Sequence, residues 1–297
     1  MKNKLPSYGG QAVIEGVLMR GKSSVAMATR APNNEIVVHH EILTGIYTGN
    51  LSKIPFLRGL ILLWDSLGLG MRFLTLSANV QTGEDDKLEG PMLFIILTVS
   101  VVLSIGLFFL APALISGLIA RYSALSPWVI NLIEGAIRLF ILIGYIVGVG
   151  RIPDIRRVFM YHGAEHKTIN AFEDGADLTP QSIAPYSVEH TRCGTSFILT
   201  LVLLSILVFS LLGPLPLHWR LLSRLLMIPV LAGISYEYIR LLSNHIESPI
   251  VKLIVKPNLA LQRLTTREPT MDMLEVSIRA FNEMKNMEES KSSAIII

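Results

Sequence analysis

The thirty residues from Pro91 to Ala120 (PMLFIILTVSVVLSIGLFFLAPALISGLIA) carry no charged side chain. A helix needs about 20 apolar residues, rising about 1.5 Å each, to cross a hydrocarbon core roughly 30 Å thick. This stretch is therefore expected to span a membrane. Three more qualify: Pro127 to Gly150, with only Glu134 and Arg138; the uncharged Ser196 to Gly213; and Trp219 to Leu242, with its charges near the ends. Composition agrees, since 51% of residues are hydrophobic and 16% charged, where soluble domains carry about a quarter charged. Such apolar content excludes a disordered chain, the 22 glycines lack a collagen period, and one cysteine cannot build a disulfide scaffold. A net charge of +3 is too small to point to a nucleic-acid partner.

The spans divide the chain into segments. Residues 1–50 read as a cytoplasmic β-rich segment, 51–90 as an amphipathic interfacial helix with a linker, and 91–150 as the first two transmembrane helices. Residues 151–195 read as a cytoplasmic loop rich in His, Glu and Cys, 196–242 as the last two spans, and 243–297 as a cytoplasmic C-terminal segment. Lys and Arg number nine in residues 1–90, five in 151–195 and seven in 243–297, whereas the short connections 121–126 and 214–218 hold only Arg121. The positive-inside rule then puts both termini and the 151–195 segment in the cytoplasm. Met1 to Gly10 lacks an apolar export core, which agrees with a cytosolic start.

Ile54 to Leu76 is apolar but patterned. Arg58, Asp65 and Arg72 recur every seven residues and line one helix face, opposite Phe56, Leu60, Leu63, Leu67 and Leu74, with Trp64 beside that stripe. This predicts a helix in the membrane interface, with a re-entrant or spanning helix as the alternative. In the polar segments, Val25–Thr29 and Ile36–Ile42 predict a β-hairpin, with Gln11–Arg20 as a third strand. Thr270 is placed to cap a short amphipathic helix with Met271, Leu274, Ile278 and Phe281 on one side, followed by a mobile polar tail over 285–297.

The residues that could carry chemistry concentrate in 151–195. His162-x-x-Glu165-His166 has the inverted zincin spacing. On a helix, imidazoles at i and i+4 share a face with Cβ atoms about 5–6 Å apart, so both can reach one ion. Glu165 is placed to act as general base on a metal-bound water or to ligate. The candidate further ligands are Glu237, at the cytoplasmic end of the last expected span, and His190 and Cys193 in the same segment. Elsewhere, Glu134 and Arg138 face the same way and are expected to pair within the membrane. His39 and His40 lie on opposite strand faces, so at most one can join a site. Glu15 is a lone carboxylate in an apolar strand, on an exposed edge or supplementing a cation site. Lys167 and Arg192 could meet anionic headgroups.

Several stretches resemble the bacterial YqhQ-like membrane family (domain of unknown function 1385): Gly9-Gly10-Gln11-Ala12-Val13-Ile14-Glu15-Gly16-Val17-Leu18-Met19-Arg20-Gly21, Tyr161-His162-Gly163-Ala164-Glu165-His166-Lys167-Thr168, Arg192-Cys193-Gly194-Thr195-Ser196-Phe197, and Leu261 to Pro269. The resemblance covers roughly residues 8 to 285. It departs at Leu18, Phe172 and Thr191, where Met, Tyr and Pro are usual, and leaves every candidate ligand in place. It implies a membrane protein described as a metal-dependent enzyme, on the same His, Glu and Cys inventory.

The expected architecture is thus a polytopic α-helical membrane protein with about four transmembrane helices and a small cytoplasmic α+β cap. The expected chemistry is a divalent metal, zinc, held by His162, His166, Glu237, His190 and Cys193, with Glu165 catalytic in a hydrolase at the cytoplasmic face. The alternative is a non-enzymatic membrane scaffold or regulator in which a closed metal or polar cluster ties the cap to the spans. An oligomeric transporter is a weaker reading, since the chain has no internal repeat. Membrane lipids are the expected partners, with a second copy or another membrane protein; nucleic acid is not expected.

Overall fold

The computed structural model describes residues 8–43, 54–82, 90–191, 193–211 and 215–294. Arg192 lies outside them, as do the side chains of Leu63, Asp65 and Leu67.

The N-terminal segment is a four-stranded antiparallel meander of β1 (Gly9–Val13), β2 (Gly16–Arg20), β3 (Ser24–Arg30) and β4 (Ile36–Ile42). The expected hairpin is β3–β4, in register from Ser24 opposite Ile42 to Arg30 opposite Ile36. The expected third strand, Gln11–Arg20, is instead two strands. The chain reverses at Ile14-Glu15, where Glu15 takes a left-handed φ of 52°, and the Glu15 carbonyl accepts from Arg30 N–H at 2.8 Å.

Strands β2 and β3 read as almost unbroken apolar runs because both sheet faces are covered. Val17, Met19, Ala26 and Ala28 face helices α5 (Pro153–Asp174) and α10 (Met271–Ala294). Leu18, Val25 and Met27 face Leu69 and Phe73 of α1 (Leu57–Thr82). Leu274, Ile278, Phe281 and Met284 form the buried stripe of α10, and Tyr8, Phe172 and Phe281 meet ring to ring with centroids 4.8–5.4 Å apart. Met271 is half exposed and lies off that stripe. The expected mobile tail is a correction: α10 continues to Ala294, and Glu288 Oε1 accepts from Ser23 N–H at 2.6 Å and Ser24 Oγ at 2.9 Å.

Helix α1 is longer than the amphipathic segment expected from sequence. Its Arg58 pairs with Glu237 and its Arg72 with Glu41, so both basic residues of the seven-residue repeat meet carboxylates of the protein itself. Its first turns pack on α8 (Leu217–Asn244), where Gly59 sits against Gly233 and Tyr236.

Among the described residues, three helical rods are long and apolar enough to cross a membrane: Gly90–Tyr122, Pro127–Val149 and His218–Asn244. The first comprises α2 (Gly90–Ile105) and α3 (Ala111–Tyr122), joined through a π-helical turn at Gly106–Leu110. Pro112 has no N–H to donate, which frees the Phe108 carbonyl; Arg138 Nε of α4 (Pro127–Val149) donates to it at 3.1 Å. The fourth expected stretch forms α7 (Gly194–Leu211), in which the apolar part among the described residues, Thr200–Phe209, is shorter than a span.

Arg138 also donates to Glu134 (2.9 Å) and Ser205 Oγ (3.0 Å). Glu134 accepts two further bonds from Arg224 at 2.9 and 3.0 Å, and the Arg224 guanidinium lies 4.0 Å over the Phe209 ring. The pair expected from the i,i+4 spacing is therefore part of a buried triad.

Candidate functional site

The 151–195 segment is mostly helix. Pro153 starts α5, where its missing N–H is harmless, and Gly175 ends the helix in a left-handed conformation at φ 79°. A short turn, α6 (Pro180–Ile183), is followed by turns and irregular chain over 184–191, and α7 begins just after Cys193. Helix α5 presents His162 and His166 on one face, with ring centroids 4.4 Å apart. Gly163 lies between them because the chain after α9 (Pro249–Thr265) crosses here; a Cβ would strike the Arg267 carbonyl. That crossing is fixed by Arg267 N–H donating to the Phe159 carbonyl at 2.9 Å.

Both histidines are oriented by backbone. His162 Nδ1 donates to the Thr265 carbonyl at 2.9 Å, and His166 Nδ1 donates to the Val188 carbonyl at 2.6 Å. A carbonyl only accepts, so each Nδ1 carries the proton and each Nε2 points inward. His162 Nε2 lies 3.1 Å from Cys193 Sγ, and the buried Nε2 of His166 makes no well-formed hydrogen bond among the described residues. One donor atom from each of His162, His166 and Cys193 lies within 4.8 Å of the others.

The electrostatics follow from crowding ionisable groups in a dry place. Burial opposes charge on His162, but the Cys193 sulfur, Glu165 and the Thr265 carbonyl overcome it and push its pKa up to about 9. Burial would raise the Cys193 thiol, yet His162 and His166 hold it well below its ordinary value. Glu165 is buried beneath Gly10 of β1; burial pushes its carboxyl up, and His166 and His162 partly offset this. The arrangement sets a thiol held below its ordinary pKa against two inward imidazole nitrogens, with a buried carboxyl on the same helix. Zinc bonds of about 2.0–2.1 Å to nitrogen and 2.3 Å to sulfur in tetrahedral geometry correspond to donor separations of roughly 3.3–3.8 Å. The cluster needs only small side-chain shifts to reach them, and the carbonyls that accept from both Nδ1–H groups are the kind of partner that orients a metal-bound histidine.

The other sequence candidates lie elsewhere. His190 stacks 5.8 Å from His166, but its Nε2 is 3.5 Å from Glu173, and burial lowers its pKa. Its backbone exchanges hydrogen bonds with the Gln262 side chain at 2.8 and 2.9 Å. Glu237 accepts from Arg58 and, at 3.1 Å, from Phe56 N–H. Glu15 is held by Arg157 and Tyr161 of α5, at a turn rather than on an edge strand. Lys167, expected among headgroups, is buried; its Nζ donates to the Ala184 and Tyr186 carbonyls at 2.6 Å each and lies 3.0 Å from Glu268. His40 pairs with Glu283 of α10 at 3.0 Å, on the opposite sheet face from His39. Sequence reasoning missed Thr265, Val188 and Gln262. The first two act through carbonyls, which every residue has, so side-chain type gave no signal.

Comparison with known proteins places this geometry in context. The family model described as "Protein of unknown function (DUF1385)" matches residues 54–287. The chain is similar to "Uncharacterized protein YqhQ" of Bacillus subtilis (strain 168), with 36% identity over 308 aligned positions covering 97% of this chain and 95% of that protein. No solved structure matches. A match of this extent, carried by a relative of nearly the same length, means that the chain belongs to the DUF1385 family.

Proposed function

We propose that this protein is a metal-dependent hydrolase of the cytoplasmic membrane face, with zinc held by His162, His166 and Cys193 and with Glu165 as general base. The supporting observation is the number of converging donors: among the described residues they are three, not four. Catalytic zinc sites keep three protein ligands and a position for water, whereas structural sites close with four. A bound zinc would supply an acidified water at neutral pH. Glu165, whose carboxyl burial pushes up and which is coupled electrostatically to His166 and His162, would exchange the proton.

The membrane placement belongs to the same reading. Helix α4 ends four residues before α5 begins, and α7 begins one residue after Cys193. The cluster therefore sits where two apolar helices leave the sheet-bearing end. With α7 as a fourth span and the basic residues gathered on that side, both termini and the cluster are cytoplasmic.

One observation favours the scaffold alternative: the cluster joins α5, the run before α7 and the end of α9, and Glu165 and His166 are nearly inaccessible. Metal content of the purified chain, with His162→Ala and Glu165→Gln beside it, tests the reading. Near-stoichiometric zinc, absent from His162→Ala and retained by Glu165→Gln, is expected; X-ray absorption should show two nitrogens, one sulfur and an oxygen. Four protein donors would favour the scaffold, and no metal after reconstitution would overturn both metal readings.

A further inference from the structure

An apolar cavity of about 580 Å³ opens between α3's preceding π-turn, α4, α5, α7 and α9. Its walls include Arg138, Leu142, Val149, Phe159, Val202 and Thr265. The volume falls within the roughly 300–1,000 Å³ of ordinary ligand sites. We propose that it holds the hydrocarbon chain of a membrane lipid, whose polar end emerges at the α5–α9 junction beside His162.

The lining chemistry selects an apolar occupant. The charged group in the wall, Arg138, already commits each of its three nitrogens to Glu134, Ser205 or the Phe108 carbonyl, and Ser205 is satisfied by the same guanidinium and the Val202 carbonyl. Water in such a space would find too few partners, and a polar ligand would lose its hydration without replacement. The helices forming the walls supply the source. Gly90–Tyr122 and Pro127–Val149 are apolar rods whose outer faces display Phe94 and Phe140 at 72% and 77% exposure. At that depth the surrounding solvent is hydrocarbon.

The extent of the cavity supplies the direction. From Arg138 to Val149 it follows α4 for about 16 Å. It then passes Phe159, three residues before His162, and reaches Thr265, whose carbonyl orients His162. A chain lying along it would bring its polar end to Thr265, which hydrogen-bonds His162. This rests on the hydrolase reading and narrows its substrate to a lipid or lipid-linked molecule cleaved near the polar end of its chain.

The full chain, reconstituted in phosphatidylglycerol vesicles doped with a diazirine-bearing palmitoyl phosphatidylglycerol, is photolysed and mapped by peptide mass spectrometry. Zinc is measured on the same samples. Labelling is expected within Leu142–Phe159 and at Leu201-Val202, falling several-fold in Leu142→Trp and in Val202→Phe. Label at Phe94 and Phe140 should be unchanged, which reports that each variant is folded and inserted. Two variants on opposite walls guard against one failing to fold. Label confined to outward positions, or unaltered by both variants, overturns the proposal. Zinc without cavity labelling would sink the lipid site and leave the metal reading standing. Cavity labelling without zinc would uphold the chain site and sink the hydrolase.

Discussion

Gly163 and Cys193 carry opposite kinds of constraint within one cluster. At Gly163 the demand is steric: the Arg267 carbonyl occupies the space of a Cβ. Gly163→Ala should cost about 1–3 kcal/mol by overpacking and lower the thermal midpoint by several degrees; on the metal reading, zinc binding should weaken because Thr265 shifts with the crossing segment. Thermal unfolding followed by circular dichroism checks this. At Cys193 the demand is chemical. Cys193→Ser keeps the volume but removes the thiolate that both histidines favour, so zinc content should fall at least tenfold while the helical signal is unchanged; equal zinc in the variant would remove Cys193 from the ligand set. Glu134 poses a third constraint, one buried carboxylate serving two buried arginines. Glu134→Gln leaves both guanidiniums undercompensated, and the expected loss is about 3–5 kcal/mol. Glu134→Gln combined with Arg224→Leu should recover part of it, measured by urea titration in detergent.

At the scale of elements, α10 is the outer layer of the cap. Its last turns fasten to the β2–β3 turn through Glu288 and the Ser23 and Ser24 groups, and Met284 is fully buried. Truncation after Lys285 removes these bonds, and Glu288→Ala removes only the carboxylate. The single substitution should destabilise the cap by about 1–3 kcal/mol, since it strands donors that folding has dried. The truncation should do more, seen as protease cleavage around Gly21–Ser24. Helix α5 is tied in by its own set of contacts: Glu15 through Arg157 and Tyr161, the 184–186 carbonyls through Lys167, and Ser277 through Thr168. The two cluster histidines therefore sit on a helix whose neighbouring polar groups, Arg157, Lys167 and Thr168, are satisfied.

For the molecule as a whole, the arrangement predicts sidedness. Tyr122 is 81% exposed at the end of α3, and Asn33 is exposed in the β3–β4 turn. With a membrane-impermeant maleimide on intact cells, Tyr122→Cys should label at once and Asn33→Cys only after permeabilisation. The native Cys193 is buried and gives a low background. Labelling of both sites, or of neither, in intact cells would break the four-span topology.

How much of this was legible in the sequence depends on whether a residue's role is local. The uncharged run from Pro91 marks a long apolar helix without reference to any other element, and three such rods are present. The i,i+4 spacing of His162 and His166 fixes their shared face, and two strand-like runs either side of the 31–34 turn mark the β3–β4 hairpin. Partners distant along the chain were a different matter. Glu237 and Cys193 look equally eligible as ligands, yet α1 packs on α8 and delivers Arg58 to the carboxylate, while the run before α7 delivers Cys193 to His162. Arg224 joined Glu134 across ninety residues, and a positive φ at Glu15 split one expected strand into two. Local pattern is set by the helical and strand periods, which the sequence carries residue by residue. Which charges meet, and which carbonyls orient the imidazoles, is set by packing between elements far apart in sequence, and only the tertiary structure decided it.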